Sequence, residues 1–148
     1  MYQRILPATD GSELSEQAVT SAIDLALLTQ SELFAVKVSH HQSAGYFEGS
    51  LLLNQMDAAR LRDEADAESQ RVVDAVKDKA DARGVKKTTG IVVRSEGVSE
   101  AIIDAARVHQ CDLIVMASHG RRGIRRLLMG SETLHVLTHS HTPVLVLR

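Results

Sequence analysis

Cysteine, proline and aromatic residues are scarce in this sequence, and two of these scarcities exclude classes of protein. The 148 residues include one cysteine, two prolines, two tyrosines, two phenylalanines and no tryptophan. The lone cysteine, Cys111, excludes an internal disulfide framework and a multi-cysteine metal site, and it favours a reducing, cytoplasmic compartment. So few aromatic rings argue against binding of single-stranded nucleic acid by base stacking.

The sequence also lacks long apolar runs and a strong excess of charge of either sign. Lysine and arginine total 17 against 19 acidic residues, a formal net charge of -2, which argues against a dedicated nucleic-acid binder. No stretch approaches the ~20 apolar residues of a membrane span, and the first residues do not resemble a signal peptide. We therefore expect neither a nucleic-acid nor a membrane partner.

The composition that remains is that of a globular protein with a buried core. Hydrophobic residues make up 44% and charged residues 24% of the chain, close to the averages for folded domains. The length fits the ~100–200 residues of one domain. We expect a single domain over residues 1–148.

Short apolar runs alternate with helical patterns along the whole chain. The pattern predicts strands at Arg4–Ala8, Leu33–Val38, Thr88–Arg94, Leu113–Ala117 and Pro143–Leu147. It predicts helices from a Ser12 cap to about Thr29, over Leu52–Arg83 with Gly84 as the stop, over Val98–His109 and over Ser131–Thr138. Such alternation gives a parallel sheet with helices on both faces.

Helical spacing also predicts which residues of each helix are buried. The predicted stripes are Leu14, Ala18, Ala22, Leu25 and Leu28 in the first helix, Leu61, Ala65, Val72, Val76 and Ala80 in the second, and Ile102, Ile103 and Ala106 in the third. The charge run Arg60–Arg71 is interpreted as a solvated outer face. The segment Ser39–Ser50 fits no periodic pattern and is interpreted as a mobile loop.

Ligands of parallel sheets bind beyond the carboxyl ends of the strands, where the winding direction reverses. The segment after the fourth strand has two features that suit this position. Gly120 and Gly123 allow close approach of the backbone to a ligand, and Gly130-Ser131 opens a helix whose first amide groups form an anion site. Arginines 121, 122, 125 and 126 add nearby positive charge, although they fit a solvated loop equally well.

Neither common nucleotide signature is present. A phosphate loop needs Gly-Lys-Ser/Thr, and no lysine precedes Ser131. The dinucleotide pattern Gly-x-Gly-x-x-Gly is missing as well. A nucleotide would therefore need a third mode of binding.

Ala117-x2-Gly120-x9-Gly130-Ser131 resembles the Gly-x2-Gly-x9-Gly-Ser/Thr motif of the ATP-binding members of the universal stress protein family. Further similarity lies in Thr9-Asp10-Gly11-Ser12, Gly97, Asp112–Met116 and Thr142–Val146, so that it covers nearly the whole chain. The resemblance implies an α/β, Rossmann-like open parallel sheet of five strands in the order 3-2-1-4-5. One position departs from the motif, because Ala117 stands where its first glycine would be.

The resemblance further implies the role of each residue at the site. Asp10 would hold the ribose, Ala8 and Thr9 would line the base side, and Val38 would pair with adenine through main-chain groups. Met116 and Ala117 would lie under the nucleotide. The phosphates would be received by Gly120, Gly130, Ser131 and Thr133.

Simpler interpretations stay open for several of these residues and their neighbours. Asp10 could merely cap the first helix. His135 and His139 share a helical face but are expected to be structural or surface residues, as is His141. His119 could act as a general base, although no acid partner is visible, and Cys111 is expected to be inert.

The function expected from this resemblance is binding of ATP or AMP in a stress response, with at most slow ATP hydrolysis and no assigned catalytic residue. Mg²⁺ or Mn²⁺ would arrive on the phosphate oxygens rather than on protein ligands. The apolar final strand predicts a homodimer through edge pairing, as the family commonly forms. The alternatives are a nucleotide-free dimeric scaffold and an adenylyl-transferring enzyme, but the signatures of the latter are missing.

Overall fold

A computed structural model of the chain describes residues 1–40, 51–120 and 129–148, with residues 51–54 described by their main chain only. Strands and helices alternate throughout these ranges. The strands are β1 Arg4–Pro7, β2 Glu32–Ser39, β3 Thr88–Arg94, β4 Leu113–Ala117 and β5 Val144–Leu147. The helices are α1 Glu13–Thr29, α2 Leu51–Ala82, α3 Val98–Val108 and α4 Ser131–His139.

The strands form one parallel sheet in the order β3-β2-β1-β4-β5. This confirms the predicted Rossmann-like α/β architecture. The chain winds from β1 towards β3 on one side and, after β3, crosses to β4 and β5 on the other. The carboxyl ends of β1 and β4 therefore lie side by side at the point where the winding reverses.

Pro7 accounts for an interruption in the pairing of β1 with β2. The register pairs Arg4 with Glu32 and Ile5 with Leu33, and it resumes only as an isolated bridge between Ala8 and Val36. Proline has no N–H to donate to the ladder at the intervening position. Thr9 restores the bonding, since its N–H donates to the Val36 carbonyl at 3.0 Å.

The helices cover the two faces of the sheet and bury one apolar cluster on each. Helices α1 and α2 pack on one face over Ile5, Leu33 and Val115. Helices α3 and α4 pack on the other face, and there the cluster contains Leu6 and Ile114. Since β1 and β4 contribute to both clusters, the centre of the sheet is buried on both sides, as a parallel sheet requires.

Two residues predicted to be buried are exposed. Leu28 of α1 is 81% exposed, because this helix turns Val19, Ile23 and Ala26 towards the sheet instead. Leu61 of α2 is 60% exposed. The 32 residues of α2 span ~48 Å at 1.5 Å per residue, about twice the length of the seven-residue strand β3, so the helix extends past the sheet.

The predicted cap of α1, the predicted stop of α2 and the predicted solvated face of α2 are found in the structure. Ser12 caps α1 by accepting the Ser15 N–H at 3.3 Å, and Gly84 follows α2 with a φ of 87°. Exposed ion pairs occupy much of the charge run Arg60–Arg71. Residues 41–50, and with them most of the predicted loop, lie outside the described ranges, and none of the described helices is both long and apolar enough to span a bilayer.

A pair of leucines tests this assignment of the core. Leu33→Ala should lower the free energy of unfolding by about 2–5 kcal/mol, because it empties a fully buried site in β2. Leu28→Ala should change it by less than about 0.5 kcal/mol, since that side chain is mostly in solvent. Urea unfolding followed by circular dichroism measures both. Equal losses in the two variants would contradict the assignment.

Candidate functional site

A cleft of about 870 Å³ lies at the carboxyl ends of the strands. Its lining includes every residue for which the sequence predicts a role at the site: Ala8, Thr9, Asp10, Val38, Met116, Ala117, Gly120, Gly130, Ser131 and Thr133. These residues come from four separate parts of the chain. The fold therefore brings together the predicted set at the predicted end of the sheet.

The turn after β1 holds Asp10 at the cleft. Asp10 Oδ1 accepts the Ser12 N–H at 2.9 Å, and Thr9 Oγ1 accepts the Gly11 N–H at 3.1 Å. The Thr9 hydroxyl also lies 3.0 Å from Ser15 Oγ. Ser12 rather than Asp10 caps α1, so the interpretation of Asp10 as the cap is wrong. One carboxylate oxygen of Asp10 instead closes the turn before the helix, and the other oxygen faces Gly120.

The side of Gly120 on which a side chain would stand faces the Asp10 carboxylate, so that a side chain there would displace this carboxylate. A Cβ built on Gly120 would lie 2.7 Å from Asp10 Oδ2, closer than such atoms approach in real structures. The ends of β1 and β4 therefore approach each other at this point, with a carboxylate oxygen on one side and bare backbone on the other.

The start of α4 presents amide groups to the same cleft that have no partner among the described residues. The Gly130 N–H donates to the Ser118 carbonyl at 2.9 Å, and the first helical bond runs from the Leu134 N–H to the Gly130 carbonyl at 3.0 Å. The amides of residues 131–133 precede that bonding pattern and carry the positive end of the helix dipole. This arrangement suits an anion.

Thr133 has a structural function in addition to any contact with a ligand. Its side chain is 3% exposed, and its hydroxyl donates to the Ala117 carbonyl at 3.0 Å and lies 3.3 Å from the Ser118 carbonyl. These contacts fasten the first turn of α4 to the end of β4. The hydroxyl hydrogen is therefore engaged within the protein.

Val38 lies on the β2 side of the cleft beside a cation. Lys37 Nζ donates to the Val38 carbonyl at 2.9 Å, and both residues belong to the lining. The Val38 carbonyl oxygen, for which the resemblance implies a contact with the base, therefore already accepts one hydrogen bond. A carbonyl oxygen has two lone pairs, so a second donor can still be accepted.

Sequence reasoning missed one wall of the cleft, which is formed by α2. Ala65, Glu68, Ser69 and Val72 line it, whereas helical spacing assigned Ala65 and Val72 to the core. Asp66 fixes this part of the helix, since Ser39 Oγ donates to its Oδ1 at 2.9 Å and Arg94 pairs with its other oxygen. The charge run contained Asp66 but gave no sign that this one acid points inward.

Two of the histidines lie at the cleft, whereas His135, His139 and Cys111 lie outside its lining. His40 and His119 line the cleft, and the Nδ1 of His119 lies 2.9 Å from Ser118 Oγ. His135 and His139 lie outside that lining, with ring centroids 4.0 Å apart, and His135 contacts Glu100 at 3.5 Å. Burial raises the pKa of the Cys111 thiol to about 12, as expected for an inert cysteine.

Gly123 and the arginines at 121, 122, 125 and 126 lie outside the described residues. Among the residues that are described, no three histidine, cysteine or acidic side chains are grouped as metal ligands.

Comparison with known proteins gives a consistent family assignment. A sequence model of the universal stress protein family matches residues 1–148. Universal stress protein MJ0531 of Methanocaldococcus jannaschii is 32% identical over 149 residues, which cover 100% of this chain and 83% of that protein. The structure of universal stress protein UspA from Lactobacillus plantarum superposes with a TM-score of 0.85 at 24% identity, covering 99% of this chain and 98% of that one.

Two further solved structures contain nucleotides. A universal stress protein in complex with cAMP matches with a TM-score of 0.71 at 24% identity, covering 99% of this chain and 97% of that one. The universal stress protein from Archaeoglobus fulgidus in complex with dAMP matches with a TM-score of 0.63 at 16% identity, covering 99% and 98%. At these identities the likeness concerns the fold.

Proposed function

This chain belongs to the universal stress protein family, and on that premise we propose that it binds ATP or AMP in the cleft at the carboxyl ends of the strands. The observation that carries the proposal is the convergence of the Asp10 carboxylate, the bare backbone of Gly120 and the amino terminus of α4 in one cleft. The nucleotides held by two proteins of the same fold support the choice of an adenine nucleotide.

The phosphates are proposed to lie at the start of α4. There the amides of Ser131 and Thr133 precede the helical bonding pattern, and Gly130 packs closely on the Ser118 carbonyl, where an added Cβ would lie 3.3 Å away. Amide hydrogen bonds to charged oxygens are stronger than those between neutral groups. Thr133 contributes through its main chain, because its hydroxyl is already engaged with the Ala117 carbonyl.

The ribose and base are proposed to extend from there towards β2. The Asp10 carboxylate lines the cleft and is placed to accept a ribose hydroxyl. Ala8 and Thr9 line the base side, Val38 offers its main chain to adenine, and Met116 lies beneath. The Val38 carbonyl would accept the adenine amine beside Lys37.

Ala117, the departure from the motif, is compatible with this placement. Its side chain belongs to the apolar cluster under α1, together with Leu113 and Val115. Successive side chains of a strand point to opposite faces, so the Ala117 methyl packs into the core on that face. The alanine is accommodated by the sheet and need not crowd the ribose or the phosphates.

A divalent cation, Mg²⁺ or Mn²⁺, is expected to be held by phosphate oxygens and to offset their charge. A reducing cytoplasm suits the buried thiol of Cys111.

We also propose a homodimer that forms through β5. This strand is at the edge of the sheet, next to β4 only. Its bonds to β4 use the carbonyls of Pro143 and Leu147, so by alternation the main-chain groups of Val144 and Val146 point to the free edge. An apolar edge strand of this kind invites pairing with a second chain.

Asp10→Asn tests the nucleotide site. The amide retains an oxygen for the Ser12 N–H but removes the charge, so we expect ATP affinity to fall by about tenfold to hundredfold. Isothermal titration calorimetry measures the affinity, and Asp104→Asn, on the exposed side of α3, is the charge-matched control. Wild-type protein that binds neither ATP nor AMP would reject the proposal in favour of the nucleotide-free scaffold.

Val146→Pro tests the dimer. The substitution removes an N–H that faces the free edge, and proline is tolerated at such positions. We expect wild-type protein to sediment at about twice the 16.1 kDa of the chain and the variant at the monomer mass with unchanged circular dichroism. A monomeric wild type, or a variant that stays dimeric, would show that β5 does not form the interface.

A further inference from the structure

The wall that α2 contributes to the cleft is apolar except at two positions. Ala65, Ser69 and Val72 follow one another at spacings of four and three residues, which places them on one face of the helix, and all three line the cleft. Glu68, the other polar residue of this wall, pairs with Arg71 on the exposed side. Ser69 is thus a single hydroxyl set between two apolar side chains.

The Ser69 hydroxyl differs from the other buried hydroxyls of the cleft. Thr9, Ser15, Ser39 and Thr133 all have hydrogen-bond partners within the protein. Ser69 is 3% exposed, and among the residues that the structure describes its hydroxyl has no such partner. Because Ser69 lines the cleft, its hydroxyl can pair with a ligand there without giving up a partner within the described part of the protein.

The position of Ser69 along α2 is fixed from both sides. One turn earlier, Asp66 accepts a hydrogen bond from Ser39, the residue after Val38. One turn later, Val73 packs on Gly90, where an added Cβ would lie 3.0 Å from Val73 Cγ2, and Gly90 pairs with Ala35. Ser69 therefore lies over the last residues of β2, on the base side of the cleft.

We propose that Ser69 is a specificity-determining residue that hydrogen-bonds the edge of the nucleobase. The proposal rests on the proposed function, since it takes the base to lie beside Val38. Ala65 and Val72 supply apolar surface for the base, and the hydroxyl, which can both donate and accept, pairs with a ring nitrogen or exocyclic group. The base is then recognised by hydrogen bonds with the main chain of Val38 in β2 and with the side chain of Ser69 in α2.

Ser69→Ala in the full chain tests the proposal through ligands with and without a base. We expect AMP affinity to fall about fivefold, the effect of one hydrogen bond, and the affinity for ribose 5-phosphate to stay unchanged. Competition against a fluorescent ATP analogue measures both ligands. Ser69→Cys, which keeps the volume and offers only a weak donor, should show the same loss if the alanine variant folds poorly.

Thr88→Val is the matched control. Thr88 is also buried, and within residues 1–40, 51–120 and 129–148 its Oγ1 has no hydrogen-bond partner, but it is not part of the cleft lining. Its substitution should leave the affinity for both ligands unchanged.

The possible outcomes separate this proposal from the one on which it rests. A wild-type protein that binds no adenine nucleotide overturns both. A wild type that binds AMP, with a Ser69→Ala variant that binds it equally well, overturns the role of Ser69 alone. Equal weakening of AMP and ribose 5-phosphate also overturns that role, because the hydroxyl would then act on the sugar, the phosphate or the helix.

Discussion

The amide groups at the start of α4 are the feature on which the organisation of the cleft depends. A helix leaves its first N–H groups without internal partners, and here these groups open towards the ends of β1 and β4. Two contacts hold them in place, the Gly130 N–H on the Ser118 carbonyl and the Thr133 hydroxyl on the Ala117 carbonyl. The end of a buried strand thus sets the position of an anion site, and the proposed contacts to ribose and base are placed relative to it.

Packing on both faces of the sheet keeps this geometry rigid. The side chains of β4 are buried alternately under α1 and under α3 and α4, and no residue of that strand is exposed. Close packing of this kind resists small displacements. The approach of Asp10 to Gly120 therefore follows from the register of β1 with β4. The same register sets how far the motif residues after β4 lie from the turn after β1.

Local patterns in the sequence predicted the strands and helices, and the resemblance to the family predicted ten of the residues that line the cleft. Strand order followed from the resemblance to the family, and the ten predicted residues lie where strands end or a helix begins. The wall formed by α2 could not be predicted, because its residues follow the same helical spacing as a core stripe. Whether Ala65 and Val72 face the core or a cleft depends on where the helix passes the sheet edge, which periodicity does not encode. Leu28 was misassigned because α1 has a second apolar face, formed by Val19, Ile23 and Ala26, that packs on the sheet instead. Leu61 was misassigned because α2 extends past the sheet.

The most direct measurement of the central claim is a comparison of ATP and adenosine by nuclear magnetic resonance of the backbone amides. If the start of α4 holds the phosphates, ATP should shift the amide signals of Ser131, Glu132 and Thr133 strongly, while adenosine should leave them nearly unchanged. Amide signals that do not respond to ATP, or that respond equally to adenosine, would contradict the account.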